Sequence, residues 1–420
     1  MPRPTKRVKR PARASRPRRR NALAAFVKRA YAHAPAVRRI LDEAGVHPGE
    51  IETPADLERV PVTTKDRLIE LQKQEPPFGG FLAVPLTSLK RIHLSPGPLL
   101  EPQGDEQAIE ETCARVFRIA GFKKGDIIIN TLSYHLVPAG LLLDDGIRRI
   151  GATVVPAGVG NTELQVNLMR DLRVTGYAGT PGFLMTLLKR AEEIGIDPRT
   201  QLALTRAFVT AEPYPPALRQ VFHNDYHIKT LNVYGTAELG FLAHDCDAQQ
   251  GLHMVEGMLI QICDPQTGKH VASGGSGQVV VTPLNDTYPT IRLGTGDLAT
   301  FNDAPCACGR TAPRLTLVGR VGDAIKVRGM FVHPNQLQAV AAKFPALTRL
   351  QGIVTRPAQR DQFTLRVELA GEGVDRAKLE KELDDAIRNL CRVGADSFEF
   401  VPAGSIPPNA KLMLDERTWK

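Results

Sequence analysis

The sequence predicts an α/β protein: parallel strands wrapped by helices, extended by a β region, with a small α+β unit at the C-terminal end. Three observations predict this. Between residues 126 and 234, short apolar runs such as Ile127-Ile128-Ile129 and Ala152–Pro156 alternate with helix-length stretches, the pattern of βαβ units. After Gly240 the texture changes to short strands punctuated by Asp264-Pro265, Thr267-Gly268 and Gly274-Gly275. From about Val321 strands and helices mix again over roughly 100 residues, a usual domain size. The expected division is a basic tail over 1–20, a large unit over 21–320 and a small one over 321–420.

In chain order, Asn21 to Ala44 carries apolar residues at three- and four-residue steps and reads as helix, with Asn21 as its cap and Pro35 splitting it. Thr63-Thr64-Lys65 reads as a helix start. Ser88–Leu94 is an expected strand, followed by a rigid turn at Ser95-Pro96-Gly97-Pro98. Helix is expected over 109–120, 141–150, 164–173, 181–194 and 216–222. Strands are expected over 126–132, 152–156, 175–179, 203–209 and 229–234. The β region offers Met258–Asp264, Gly277–Pro283, Thr290–Arg292 and Ala299–Asp303. The last unit offers strands at 324–327, 351–356, 363–369 and 398–401, with helices at 334–343 and 375–390.

At 420 residues the chain is too long for one compact core. It has no apolar run long enough to span a membrane. Its net charge of +9 is local: residues 1–20 hold ten Lys/Arg, four Pro and no Asp/Glu, which leaves 44 basic against 45 acidic residues elsewhere. Such a tail is expected to be disordered. It could touch nucleic acid or an anionic surface, or simply be solvated. It has no apolar segment of secretory type. Six cysteines are too few for a disulfide framework, so a reducing, cytoplasmic setting is expected. The oligomeric state stays open, a homodimer included.

Leu231 to Gly240 reads as a strand end, a turn at Gly235, then the Thr236 hydroxyl and the Glu238 carboxylate. Ligands of open α/β sheets bind beyond the carboxyl ends of strands. Hard oxygen donors there suit a Mg²⁺-nucleotide; a plain polar turn would look the same. Thr295-Gly296-Asp297 is a glycine-rich turn with a carboxylate able to hold a ribose, or only a capped turn. Gly319-Arg320 to Gly329 reads as a basic linker in which Gly322 is free to rotate. Walker, G-x-G-x-x-G, H-E-x-x-H and G-x-S-x-G motifs are absent.

In this order, Tyr234-Gly235-Thr236-Ala237-Glu238, Thr295-Gly296-Asp297 and Gly319-Arg320 to Gly329 resemble the adenylate-forming enzymes, and among them the phenylacetate-CoA ligase family. The likeness extends to Pro61-Val62-Thr63-Thr64-Lys65-Asp66, to 149–156 and to Ala211-Glu212-Pro213. It implies a carboxylic acid, preferably aromatic, attacking ATP to give an acyl-adenylate, and coenzyme A then displacing AMP. It implies Glu238 on Mg²⁺, Thr236 at the α-phosphate and Asp297 with Arg320 on the ribose. Ala211, Glu212, Pro213, Tyr234 and Gly235 would border the adenine, and Tyr134, His135 and Gly140 the acyl group. Gly322 falls at the hinge and Gly329 near the CoA arm. Cys246, His253, Cys306 and Cys308 would hold a structural zinc; the spacing alone is not a finger pattern.

Two departures bear on turnover. The phosphate loop reads Ser95-Pro96-Gly97-Pro98-Leu99-Leu100-Glu101-Pro102. Only Ser95 and Gly97 suit phosphate, because Pro96 and Pro98 lack N–H donors and Glu101 is an anion. The adenylation lysine is assigned to Lys411, although a gapless match would place Asn409 there. An adenylating enzyme with another acceptor, or an impaired binding homologue, are the alternative readings.

Overall fold

The computed structural model describes residues 16–417 except 96, 106, 322–324, 329, 333, 358–359, 372 and 392. The tail up to residue 15, Gly322 and Gly329 therefore lie outside the described residues. No helix among them is long and apolar enough to cross a membrane.

Helix α1 (Arg16–His33) begins inside the basic stretch, so Asn21 is not its cap; α2 (Pro35–Glu43) follows. The break falls at Ala34, with Pro35 opening the second helix, as the proline predicts. Helix α3 (Lys65–Gln74) is capped by Thr64, whose Oγ1 accepts the Arg67 N–H at 3.1 Å. Next comes a hairpin of β1 (Arg91–Ser95) and β2 (Leu99–Gln103), paired from Arg91↔Gln103 to Ser95↔Leu99. The predicted turn is thus only the tip of a hairpin, and β2 was not foreseen. Gln72 of α3 fixes it: its side chain donates to the Leu100 carbonyl at 2.7 Å and accepts the Leu100 N–H at 2.9 Å.

The α/β ladder then runs α4 (Gln107–Ile119), β3 (Ile127–Asn130), α5 (Ala139–Arg149), β4 (Thr153–Pro156), α6 (Thr162–Asp171), β5 (Gly176–Gly179), α7 (Pro181–Glu193), β6 (Arg206–Thr210), α8 (Pro216–Gln220) and β7 (Lys229–Thr236). Strands β4-β3-β5-β6-β7 are parallel neighbours. Two apolar cores cover their faces, one around Tyr177 and Leu187, the other around Phe117 and Phe208. β3 is almost wholly buried, which explains its unbroken isoleucines.

The β region is the same sheet continued. Antiparallel β8 (Gly240–His244), β9 (Leu252–Met254), β10 (Leu259–Cys263), β11 (Ser276–Thr282), β12 (Leu293–Asn302) and β13 (Arg314–Arg320) extend it in the order β7-β8-β9-β13-β12-β11-β10, giving eleven strands. The expected strand over Thr290–Arg292 does not form. Arg292 adopts φ 50° and buries its guanidinium, which donates to the carbonyls of Leu57 at 3.1 Å and Val60 at 2.6 Å. The expected turn at Thr295-Gly296-Asp297 lies inside β12, where φ 79° at Gly296 and a register shift between Leu298 and Ala299 kink the strand. Gly319-Arg320 ends β13 and is not a free linker.

Strands β14 (Ile325–Val327) and β15 (Met330–Val332) form a short ribbon. Helix α9 (Pro334–Ala341), β16 (Leu347–Thr355), β17 (Gln362–Leu369), α10 (Arg376–Cys391), β18 (Ser397–Val401) and β19 (Met413–Asp415) follow. Their sheet runs β18-β17-β16-β19, with its own core around Phe363, Leu365 and Leu383.

Candidate active site

One cleft of about 1570 Å³ opens at the carboxyl ends of the parallel strands. Thr131 after β3, Thr180 after β5 and Ala211-Glu212-Pro213 after β6 form its rim, where open α/β sheets take ligands. Tyr234, Gly235, Thr236 and Glu238 line it from the junction where the sheet turns from parallel to antiparallel. There β7 and β8 meet in a tight hairpin with Glu238 in its connection. The turn lies beyond Thr236, later than Gly235 suggested, because β7 runs on to Thr236. A Cβ at Gly235 would sit 2.6 Å from the Gly240 carbonyl oxygen, so only glycine closes this hairpin.

Asp297 and Arg320 face each other across β12 and β13, with Arg320 Nε 3.3 Å from Asp297 Oδ1. The Tyr234 hydroxyl donates to Asp297 Oδ2 at 2.6 Å. Burial, followed by the charge of Asp297, pushes the Tyr234 phenol well above its ordinary value, so it remains a donor. The tyrosine expected beside a base is therefore also the residue that holds the carboxylate in place. Ala211 adopts φ 69°, a costly backbone for alanine that turns the chain along the rim. Glu212 accepts the Gly182 N–H at the start of α7, at 3.2 Å.

Glu238 is met by a residue that reads in the sequence only as part of a helix start. Lys65, at the first position of α3, places Nζ 2.7 Å from Glu238 Oε1, with side-chain exposures of 24% and 8%. Burial works against the Glu238 charge, but Lys65 outweighs it and holds the carboxyl below its ordinary value. Glu101 of β2 is buried near both. Burial, then the charge of Glu238, pushes it up to about 8. A signal for Lys65 existed: a lysine opening a helix sits at the wrong end of the helix dipole and calls for an anion. Arg219 and Asp245, an ion pair lining the same cleft, were also missed. The Arg219 guanidinium lies over the Tyr214 ring at 4.7 Å, and Asp245 accepts the Asn232 N–H at 2.9 Å.

Lys411 lines the cleft and Asn409 does not. Ser95 lines it; Gly97, at the hairpin tip, does not. The expected acyl-pocket residues are displaced from the wall. Tyr134 turns inward, accepting from Asn130 Nδ2 at 2.8 Å, while His135 is exposed and Gly140 is buried beneath the loop. Their neighbours Leu132, Val137, Pro138 and Ala139, with Leu142 and Phe241, form an apolar wall instead.

Away from the cleft, the ligand atoms of Cys246, His253, Cys306 and Cys308 all lie within 4.8 Å of one another. His253 sits on β9 and both Cys306 and Cys308 lie between β12 and β13, which β9–β13 pairing brings together. Cys246 and Cys306 sulfurs are 3.8 Å apart, and Cys308 Sγ is 3.4 Å from His253 Nε2. A tetrahedral zinc with ordinary bond lengths would have edges of about 3.8 Å between sulfurs and about 3.5 Å between sulfur and nitrogen. His253 Nδ1 lies 3.1 Å from the Ala312 carbonyl, an arrangement that turns Nε2 to the cluster. Burial opposes charge on Cys308, yet the Arg310 backbone N–H and neighbouring groups bring its thiol down to about 6.

A carboxylate–guanidinium pair, a buried acid and a lysine surround one cleft, and the family model described as "AMP-binding enzyme" matches residues 110–283. Among characterised relatives, the phenylacetate-coenzyme A ligase of Thermus thermophilus is 34% identical over 353 residues, 81% of this chain and 78% of the relative. That of Escherichia coli is 31% identical over 399 residues, 91% and 89% of the two chains. The chain belongs to the phenylacetate-CoA ligase family. A solved 2-hydroxyisobutyryl-CoA ligase in complex with 2-HIB-AMP and CoA, in the thioesterification state, superposes with TM-score 0.89 at 26% identity, covering 96% of this chain and 91% of that one. The same ligase with 2-HIB-AMP in the postadenylation state gives 0.70, covering 94% and 88%.

Proposed function

We propose that this chain is an ATP-dependent acid–CoA ligase that forms an acyl-adenylate and then an acyl-CoA thioester. The observation that carries the reading is the single cleft in which Tyr234, Asp297 and Arg320 face Glu238, Ala211-Glu212-Pro213 and Lys411. The alternatives of another acceptor or of lost turnover have less support, since the relatives of this family are CoA ligases.

The substrate carboxylate attacks the α-phosphorus of ATP and pyrophosphate leaves. The CoA thiol then attacks the acyl carbonyl and AMP leaves. Asp297 accepts from the ribose hydroxyls, pre-set by Tyr234 and Arg320. Thr236 donates to the α-phosphate, and Lys411 neutralises charge as the phosphoryl group transfers. Glu238 fits Mg²⁺, because its Oε2 and the Thr236 hydroxyl are buried without a hydrogen-bond partner; when bound, Mg²⁺ supplies charge neutralisation to the phosphates. The apolar wall from Leu132 to Phe241 favours an aromatic or compact apolar acid, phenylacetate first.

The C-terminal residues 321–420 act as a swinging domain; its expected hinge, Gly322, lies outside the described residues. The higher similarity to the thioesterification state supports an arrangement poised for the second half-reaction. Cys246, His253, Cys306 and Cys308 would hold a structural zinc that ties two loops of the antiparallel half together, and four protein ligands would leave it no position for a substrate.

The test is pyrophosphate release from ATP and Mg²⁺ with a panel of acids including phenylacetate and 2-hydroxyisobutyrate, with thioester formed only when CoA is added. No acid-dependent release across the panel would end the ligase reading.

A further inference from the structure

The hairpin that replaces a flexible phosphate loop carries an acid to which the reaction gives no role. Glu101 of β2 is 8% exposed, and it shares with Glu238 the wall of a small cavity of about 60 Å³ beside the main cleft. Glu238 Oε1 is engaged by Lys65, but its Oε2 is not. Glu101 Oε1, Ser95 Oγ and Thr236 Oγ1 are likewise buried with no partner in hydrogen-bond geometry. Of the five side-chain oxygens in that condition among the described residues, these are four. The Ser95 hydroxyl lies within hydrogen-bonding reach of the Glu101 carboxyl and the Thr236 hydroxyl within reach of Glu238, but neither pair is well aligned. Buried polar atoms in folded proteins are nearly always satisfied, so four orphans around one spot ask for a shared partner.

Among the described residues, the ligand atoms left open at this spot are hard oxygens, and two of them are carboxylates. His93, on the wall of the same cavity, is already matched to Gln103 Oε1 at 3.1 Å. This set suits Mg²⁺ or Mn²⁺ rather than a thiophilic ion. The charge count agrees. Two carboxylates and the Lys65 ammonium sum to minus one when all are ionised, and a bound divalent cation makes the sum plus one.

We propose that Glu101 and Glu238, with the Ser95 and Thr236 hydroxyls, form a two-carboxylate site that takes up a divalent cation before the nucleotide arrives. In this chain the cation, and not a row of loop N–H groups, draws the phosphates into the cleft. That last clause rests on the ligase reading; the cation site itself does not.

The experiment is a titration of the full chain with Mn²⁺ in the absence of nucleotide, with free Mn²⁺ read by electron paramagnetic resonance. Mn²⁺ competes poorly for thiolates, so the cysteine cluster does not interfere. One Mn²⁺ per chain is expected, weakened at least about 10-fold by Glu101→Gln and by Glu238→Gln, each of which removes a charged ligand. Lys65→Met should move affinity the other way, tightening it several-fold, because it frees Glu238 Oε1 and removes a positive charge. Misfolding cannot mimic that gain. Wild-type protein that binds Mn²⁺ only with ATP, or Glu101→Gln protein that binds as tightly as wild type, would overturn the proposal even if pyrophosphate is released normally. Mn²⁺ binding with no pyrophosphate release for any acid would instead remove the ligase reading and leave the cation site standing.

Discussion

Replacing Lys65 by methionine tests the least expected contact of the cleft. The substitution keeps the length of the stem and removes only the ammonium, leaving Glu238 buried and without its ion-pair partner. Stripping one partner from a fully buried ion pair costs about 3–5 kcal/mol. Lys65 keeps 24% of its side chain in solvent while Glu238 keeps 8%, so part of the Glu238 charge is already screened. A cost of about 2–3 kcal/mol follows, roughly a 30- to 150-fold loss in the local opening equilibrium. Glu238→Gln should cost less, about 1 kcal/mol, because the freed lysine can reach water. The double variant should return to within about 1 kcal/mol of wild type, since neither buried charge then remains unpaired. A chain with several cores does not promise one-step unfolding, so the readout is native-state hydrogen exchange on peptides from α3 and the β7–β8 hairpin. A double variant as unstable as Lys65→Met alone would refute the ion-pair argument and leave only lost packing.

Other consequences are as direct. Lys411→Ala should slow acid-dependent pyrophosphate release at least about 100-fold while leaving thioester formation from synthetic acyl-adenylate and CoA within about threefold, which separates the half-reactions in a stopped assay. Elemental analysis of protein purified without chelators should find one zinc per chain; Cys308→Ser should reduce it and speed hydrogen exchange in β9 and β13, and metal-free wild type would end the four-ligand proposal. For Glu101, the folded value near 8 lies above the ordinary 4.5, so the native state binds the extra proton between them and metal-free stability falls as pH rises through that window. The slope is at most about 1.4 kcal/mol per pH unit. Glu101→Gln should therefore melt higher than wild type at pH 8 and equal to it near pH 4.5; equal melting at both would refute the burial argument.

The parallel ladder was legible because its physics is local. A strand covered on both faces must be apolar throughout, and Ile127-Ile128-Ile129 can be little else. Pro35 and Thr64 act on their own helices, so their effects could be read one residue at a time. β2 was opaque for the opposite reason. Leu99-Leu100-Glu101-Pro102-Gln103 has a proline, an acid and no alternation, and it is held as a strand by Gln72 from a helix far away in sequence. Arg292 defeated a propensity argument in the same way, trading a strand position for four buried acceptors, among them the Gly268 carbonyl and Cys263 Sγ. Lys65–Glu238 and Arg219–Asp245 are tertiary facts: each partner looks like surface charge until the fold removes the water.

The same contrast explains why the phosphate loop looked disabled. Counted residue by residue, two prolines subtract N–H donors and Glu101 adds repulsion, and the sum favours loss of function. Counted as a site, Pro98 borders a strand that is anchored to α3, and α3 also carries Lys65 to Glu238. The hairpin thus sets Glu101 and Ser95 opposite Glu238 and Thr236 without the ordering cost a flexible glycine loop meets on binding. A rigid acidic edge cannot cradle phosphate through its backbone, but it can hold the ion that does so. The replacement of donors by carboxylates is then one coordinated change, and its components should fail together: Glu101→Gln should lower nucleotide affinity in the presence of Mg²⁺, whereas a lone repulsive acid would raise it on removal.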